Sequence, residues 1–306
     1  MSKESTESAV RVFEVGPRDG LQNESEILPV EQRVQLIERL IAAGSKDIEV
    51  GSFVHPRWVP QMAASDEVFQ QLKPRDDVNY WALVPNMRGL DRALDVGATH
   101  LAFFISASET HNYKNLNRGI SESLDELREM LTIARDKGLT SRAYVSMVFG
   151  CPYEGDIDFG RVMDISATLI DMGTDMISLG DTIGIGKPLQ VRRDCKRAVD
   201  TFGVDHVALH LHDTRGMGVT NAMVAYEAGM RCFDSSVGGI GGCPFAPGAA
   251  GNLGTEDLLY LMDSLDADTG IDVAQISKIA AWLEQEAHIT IPSRCTNYLQ
   301  SQRNDI

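Results

Sequence analysis

The chain has 306 residues, 43% hydrophobic and 24% charged, a composition that excludes the disordered and fibrous classes. Its formal net charge of −16 repels nucleic acid and anionic membrane surfaces, and its apolar runs, such as 176–179 and 206–211, fall far short of the roughly 18 to 20 residues that cross a bilayer. The acid-bearing start MSKESTESAV and five cysteines without metal or disulfide spacing, Cys151, Cys195, Cys232, Cys243 and Cys295, predict a soluble, cytoplasmic protein with free thiols, bound to neither nucleic acid nor membrane.

Eight short β-branched and aliphatic runs, at 10–15, 47–53, 80–84, 101–106, 143–148, 176–179, 207–211 and 232–237, each read as a buried parallel strand. Apolar residues at helical spacing follow each run. The pattern is clearest in PVEQRVQLIERLIAAG, where Val34, Leu36, Ile37, Leu40 and Ile41 form one stripe and Gly44 supplies the C-cap. SESLDELREMLTIARDKG and FGRVMDISATLIDMG repeat it, as do the stretches beginning at Pro188, Thr220 and Thr255. Such alternation implies a parallel sheet. Eight units predict a closed (β/α)8 TIM barrel of the α/β class rather than an open doubly wound sheet, which more often stops at five or six strands behind a glycine-rich phosphate loop. No linker divides the chain, so 1–306 is expected to be one catalytic domain, with 271–306 a C-terminal helical extension. Within that extension, 273–288 is a candidate for building a homodimer or higher homo-oligomer.

In such a barrel the chemistry sits where strands end and loops begin. The first strand leads to Arg18, Asp19 and Gln22, the second offers Glu49 and Ser52, and the sixth leads to Asp181 and Thr182. The seventh offers His210, His212 and Asp213, and the loop after the eighth holds Cys243 and Asn252. His210 and His212 are two apart on a strand and share its inward face. With Asp19 and the Asn252 amide oxygen they make a mixed nitrogen and oxygen set suited to Mg²⁺ or Mn²⁺, while the lack of thiolate pairs argues against structural zinc. The alternative for HLHD is a hydrogen-bonded barrel interior without metal. Asp19 arriving from strand one, the neighbour of strand eight in a closed barrel, favours the metal.

An arginine in a barrel mouth is costly to desolvate without a purpose, and Arg18 suits stabilisation of an oxyanion. Its alternative is a structural ion pair with Glu49 or Asp181. The glycine- and proline-rich stretch SSVGGIGGCPFAPGAAGN suits close backbone approach to a ligand or a mobile flap, and the Cys243 thiol within it can donate or accept a proton. Cys151 reads as loop-shaping, and Cys195 and Cys232 as packing. Lys114, Arg118 and Arg142 are candidates for the local basic patch that an anionic substrate needs in so acidic a chain.

Taken together, GPRDGLQNE, SFVHPRWVPQMA, GCPYEG, SLGDTIGIG, HLHDT and SSVGGIGGCPFAPGAAGNLGTED resemble the 3-hydroxy-3-methylglutaryl-CoA lyase family over about residues 10–265. The first motif places the chain among metal-dependent Claisen-type barrels, and the GGCP loop with its downstream GNL points to lyases. The resemblance implies that Asp19, His210, His212 and Asn252 are metal ligands, Arg18 the enolate-stabilising arginine and Cys243 the catalytic cysteine. Glu49, Asp181 and Gln22 match supporting polar positions, and Ser52 and Thr182 match the acyl pocket. The implied reaction is retro-Claisen cleavage of 3-hydroxy-3-methylglutaryl-CoA to acetyl-CoA and acetoacetate, with Asp181 or His210 as base, serving leucine degradation. The chain departs from the pattern at Ser25, where some relatives carry lysine, and at Arg215, where many carry tyrosine. Three other readings stand beside the leading one. They are a lyase for citramalyl-CoA or a longer isoprenoid-derived thioester, a Claisen-condensing acyltransferase like isopropylmalate synthase, and a barrel that binds metal and CoA without catalysis.

Overall fold

The computed structural model describes residues 9–243 and 246–301, with the backbone alone for 243 and 246–250. Eight parallel strands close on themselves in sequence order: β1 (Arg11–Glu14), β2 (Asp47–Ser52), β3 (Asn79–Leu83), β4 (His100–Ser106), β5 (Thr140–Ser146), β6 (Met176–Asp181), β7 (Val207–Leu211) and β8 (Cys232–Ser235). Closure is made by β1 against β8, from Arg11 opposite Cys232 to Glu14 opposite Ser235. All eight expected strands are present, each within three residues of its expected ends.

Helices α1 (Val30–Ala42), α2 (Ser65–Gln71) and α3 (Met87–Asp95) follow the first three strands, and α4 (Glu109–Leu116) and α5 (Ile120–Asp136) follow β4. The second half adds α6 (Phe159–Asp171), α7 (Pro188–Phe202), α8 (Gly218–Glu227) and α9 (Thr255–Ser264). The short α4 has no counterpart in the sequence reading. Its apolar spacing is weak, and Ser108, whose side chain accepts from the His111 amide, starts it. The stripe on α1 behaves as expected, burying Leu36, Ile37 and Leu40 completely. At its end Gly44 has φ of +104°, and a Cβ there would sit 2.3 Å from the Gly270 carbonyl oxygen, so only glycine closes that helix.

The interior changes character along the barrel axis. Its lower layer is apolar, built from Phe13, Trp81, Met176, Ala208 and Cys232. Above it lie Glu49, Arg142, Ser178 and Asp234, all at most 1% exposed. Arg142 therefore contributes to no surface patch: its Nη2 donates to both oxygens of Asp234, at 2.7 and 2.9 Å, across the barrel. Burying that cation is tolerable only because the carboxylate matches it.

Two further helices, α10 (Val273–Ala287) and α11 (Arg294–Ser301), follow the barrel. The apolar stripe of α10, Ile276, Ile279, Ala280 and Leu283, is wholly buried against the chain's own barrel. It is therefore spent internally, and the expected use of 273–288 as a subunit contact loses its apolar face. The glycine-rich stretch after β8 forms a two-stranded antiparallel hairpin, β9 (Gly242–Cys243) with β10 (Ala246–Ala250), where a loop alone was expected. No helix among the described residues is long and apolar enough to cross a membrane.

Candidate active site

After β1 the chain makes a wide turn over Gly16–Gly20, in which the Val15 carbonyl accepts from the amides of Arg18, Asp19 and Gly20. Arg18 and Asp19 thus do not alternate about the end of β1. The turn brings both side chains inward together, and they form an ion pair. Glu14 anchors the turn beneath: its Oε1 accepts from the amides of Gly16 at 2.8 Å and Val237 at 2.9 Å, and its Oε2 from the Thr255 hydroxyl at 2.7 Å. One buried carboxylate therefore ties the loop after β1 to the loop after β8. Burial without a cation pushes Glu14 up to about 7.

The Arg18 guanidinium is held on two further sides. Its Nε donates to Glu49 Oε2 at 2.7 Å, and its carbon lies 5.6 Å from the centre of the Tyr144 ring. Burial alone would weaken its charge, but Glu49 and Asp19 outweigh it and hold the group above its ordinary value. The ion pair with Glu49 exists, yet it is no alternative to a role in the site, because Arg18 also lines the cavity. Burial would likewise raise Asp19, and Arg18, His210 and His212 together bring it down to about 2. Asp19 is a permanent carboxylate, with Oδ1 also accepting from Gln22 Nε2 at 2.7 Å.

On β7 and just beyond it the two imidazoles face one another, Nε2 to Nε2, at 3.2 Å, and Asp19 Oδ2 is 3.9 Å from His210 Nε2. The ligand atoms of Asp19, His210 and His212 all lie within 4.8 Å of one another. Burial first and the neighbouring His210 second push His212 down to about 3, keeping its ring neutral. Asn252 is bridged backbone to backbone with His212, its Nδ2 donates to the Ile240 carbonyl, and its buried Oδ1 has no partner. Two facing imidazole nitrogens and a carboxylate, with the Asn252 side chain hydrogen-bonded to Asp19 and its amide oxygen orphaned, offer the donor types of a divalent cation. The residues present fit one.

The cavity beside this cluster, about 400 Å³, is lined by Arg18, Asp19, Gln22, Ser52, Thr182, His210 and His212 among others. Gln22, Ser52 and Thr182 thus come to the cavity. Ser52 Oγ accepts from the Val54 amide and Thr182 Oγ1 from the Met147 amide, so both also shape loops. Asp181 does not face the cavity: its Oδ1 and Oδ2 accept from the amides of Ile185 and Gly186. Its carboxyl, raised to about 6 by burial, braces the loop after β6, and Arg215 braces the same loop by donating to the Ile183 and Gly184 carbonyls. The Cys243 side chain lies outside the described residues. Of the remaining thiols, Cys195 and Cys232 are buried packing, and Cys151 Sγ contacts Ser108 Oγ at 3.0 Å.

Sequence reasoning passed over Glu14 and Asp234 and misplaced Arg142. Single charges inside otherwise apolar strand runs, as in RVFEV, SRAYVS and RCFDSS, were the available signal.

The chain matches the family described as HMGL-like over residues 9–283. It is 46% identical over 271 residues to the hydroxymethylglutaryl-CoA lyase of Pseudomonas mevalonii, covering 89% of this chain and 90% of that one. It is 45% identical over 264 residues to a 3-hydroxy-3-isohexenylglutaryl-CoA/hydroxymethylglutaryl-CoA lyase of Pseudomonas aeruginosa, covering 86% and 88%. The crystal structure of the Bacillus subtilis HMG-CoA lyase superposes with a TM-score of 0.93 at 42% identity, over 96% of this chain and 98% of that one. Sequence and fold agree, and the chain belongs to the HMGL-like family, among the hydroxymethylglutaryl-CoA lyases.

Proposed function

We propose that this chain cleaves 3-hydroxy-3-methylglutaryl-CoA into acetyl-CoA and acetoacetate. The observation that carries the reading is the placement of a buried, permanently charged guanidinium, Arg18, against the Asp19, His210 and His212 cluster in one cavity. A divalent cation, Mg²⁺ or Mn²⁺, held by Asp19, His210, His212 and Asn252 Oδ1, would supply Lewis acidity toward the substrate's 3-hydroxyl and carboxylate oxygens.

The bond between C2 and C3 breaks as the 3-hydroxyl passes its proton to water in the cavity and becomes the ketone of acetoacetate, leaving the electron pair on C2 of the acetyl-CoA enolate; that proton restores the Cys243 thiol once it has protonated C2. Arg18 is pinned by Glu49, Asp19 and Tyr144, so its remaining N–H donors meet the developing enolate oxygen without reorganising. We assign Cys243 as the thiol that supplies the proton to C2, in line with the GGCP loop it occupies. His210 serves as ligand rather than base, because Nδ1 is committed to Asp234 and only Nε2 faces the site. With both oxygens engaged by backbone amides, Asp181 has the role of holding the loop.

A second reading rests on the cavity wall. Val54, Trp58, Val59, Pro85 and Phe104 line both the catalytic cavity and an adjoining groove of about 1200 Å³. This extra room favours acceptance of a longer substituent at C3, of the kind named for the P. aeruginosa relative. Acetyl-CoA release from 3-hydroxy-3-methylglutaryl-CoA, citramalyl-CoA and a 3-prenyl homologue, with and without EDTA, tests both. The expected result is cleavage of the first that EDTA abolishes. Preference for citramalyl-CoA would move the substrate assignment, and cleavage of none would overturn it.

A further inference from the structure

We infer that Asp234, clamped by Arg142 and Ser178, is the positioning residue that fixes the tautomer and orientation of His210 and thereby sets the affinity of the metal site. The inference rests on the metal reading above and assigns a role to a buried charge pair that touches neither substrate nor the cation donors other than His210.

The geometry runs across the barrel interior. Asp234 Oδ2 lies 3.2 Å from His210 Nδ1 and also accepts from Arg142 Nη2 at 2.9 Å and Ser178 Oγ at 3.0 Å, while Oδ1 accepts from Arg142 Nη2 at 2.7 Å. The carboxylate is 1% exposed and its arginine partner likewise, so no water competes for these positions. An ionised carboxylate can only accept. His210 Nδ1 must therefore carry its hydrogen, which leaves Nε2 bare and aimed at His212 Nε2 and Asp19. Asp234 is itself immobile, because three strands hold it: Arg142 comes from β5, Ser178 from β6 and His210 from β7. The Arg142 guanidinium is stacked 3.9 Å from the Phe13 ring centre and 4.7 Å from that of Tyr144. Partners of this kind, one shell behind a ligating histidine, typically govern metal affinity by about 10- to 100-fold.

Two measurements decide the matter. In the metal-free wild-type protein, ¹⁵N-detected NMR of the histidine rings is expected to find His210 with its proton on Nδ1, and a proton on Nε2 instead would overturn the inference without any variant. Asp234→Asn leaves Arg142 as an uncompensated buried cation, so the second measurement uses the charge-neutral double variant Arg142→Met/Asp234→Asn beside Ser178→Ala. Mn²⁺ titration by calorimetry is expected to show a dissociation constant raised about 10- to 100-fold in the double variant and less in Ser178→Ala, with circular dichroism unchanged. A folded double variant with wild-type Mn²⁺ affinity would overturn the role of Asp234. Absence of Mn²⁺ binding in the wild-type protein would instead refute the metal reading.

Discussion

Replacing Arg18 by methionine removes a buried cation that faces two carboxylates and the catalytic cavity at once, so its effect has two separable parts. The first is structural. Glu49 is 1% exposed, its Oε1 already has no partner, and without Arg18 its Oε2 keeps only the Tyr144 hydroxyl at 3.2 Å. Breaking a buried pair from one side costs about 3–5 kcal/mol. The second is catalytic. Loss of a preorganised donor to a developing oxyanion typically lowers kcat by about 10²–10³, equivalent to about 2.7–4 kcal/mol of barrier.

The double variant Arg18→Met/Glu49→Gln separates the two. Its neutral amide no longer needs a cation, so urea unfolding should return most of the lost stability while kcat for 3-hydroxy-3-methylglutaryl-CoA stays down by at least about 10². Mn²⁺ binding should persist in both variants, since Arg18 is not a ligand. Arg18→Lys keeps the charge but not the fork that spans Glu49 and Asp19, and should recover only part of the rate. A double variant turning over within tenfold of wild type would refute the enolate role and leave Arg18 as a structural ion.

Glu14→Gln should flatten the dependence of stability on pH. The native state keeps the Glu14 proton up to about 7 against an ordinary 4.5, so this contribution is fully present below pH 4.5 and is lost as pH rises through 7, about 3 kcal/mol in all. Glutamine can keep Oε1 on the amides of Gly16 and Val237 and present its NH₂ to the Thr255 hydroxyl. Urea unfolding at pH 5 and pH 8 should therefore differ less in the variant, and an equal difference would contradict the assignment. Gly241→Ala should damage the metal site from the flap: φ there is +102°, and the new Cβ would lie 2.6 Å from Asn252 Nδ2 and 3.1 Å from the Asp19 carbonyl oxygen. The expected result is Mn²⁺ affinity weakened by about tenfold or more, comparable to the loss of a supporting partner. Calorimetry with an unchanged dissociation constant would show that the loop yields without moving Asn252.

The periodicity that revealed eight strands works because parallel barrel strands are buried on both faces and read as apolar runs. His210 and His212 were legible for the same reason, since two residues apart on a strand means one face. Arg18 and Asp19 were legible as a pair but not in their geometry, because a wide turn depends on where a carbonyl such as that of Val15 finds its donors. Glu14 and Asp234 were illegible for a different reason. Each is an acid whose meaning lies in distant partners, 24 to 92 residues away for Asp234 and 223 and 241 away for Glu14, and no local pattern distinguishes a clamped carboxylate from an exposed one.

The interior of this barrel trades hydrophobic packing for charge progressively toward its mouth, and the order of the layers bears on how the site works. Phe13 and Trp81 at the bottom exclude water from beneath Arg142 and Asp234. That dryness strengthens the hold of Asp234 on His210, as hydrogen bonds gain in a medium of low dielectric. In the same polar layer, Glu49 and Tyr144 do for Arg18 what Asp234 does for His210. Both functional groups are thus oriented by buried carboxylates, and each carboxylate is held from another strand. A barrel with the same ligands over an apolar second layer would leave the His210 imidazole free to flip and the Arg18 side chain free to choose among rotamers. The polar layer lowers stability wherever one partner is removed, and in return it fixes the site before any substrate arrives.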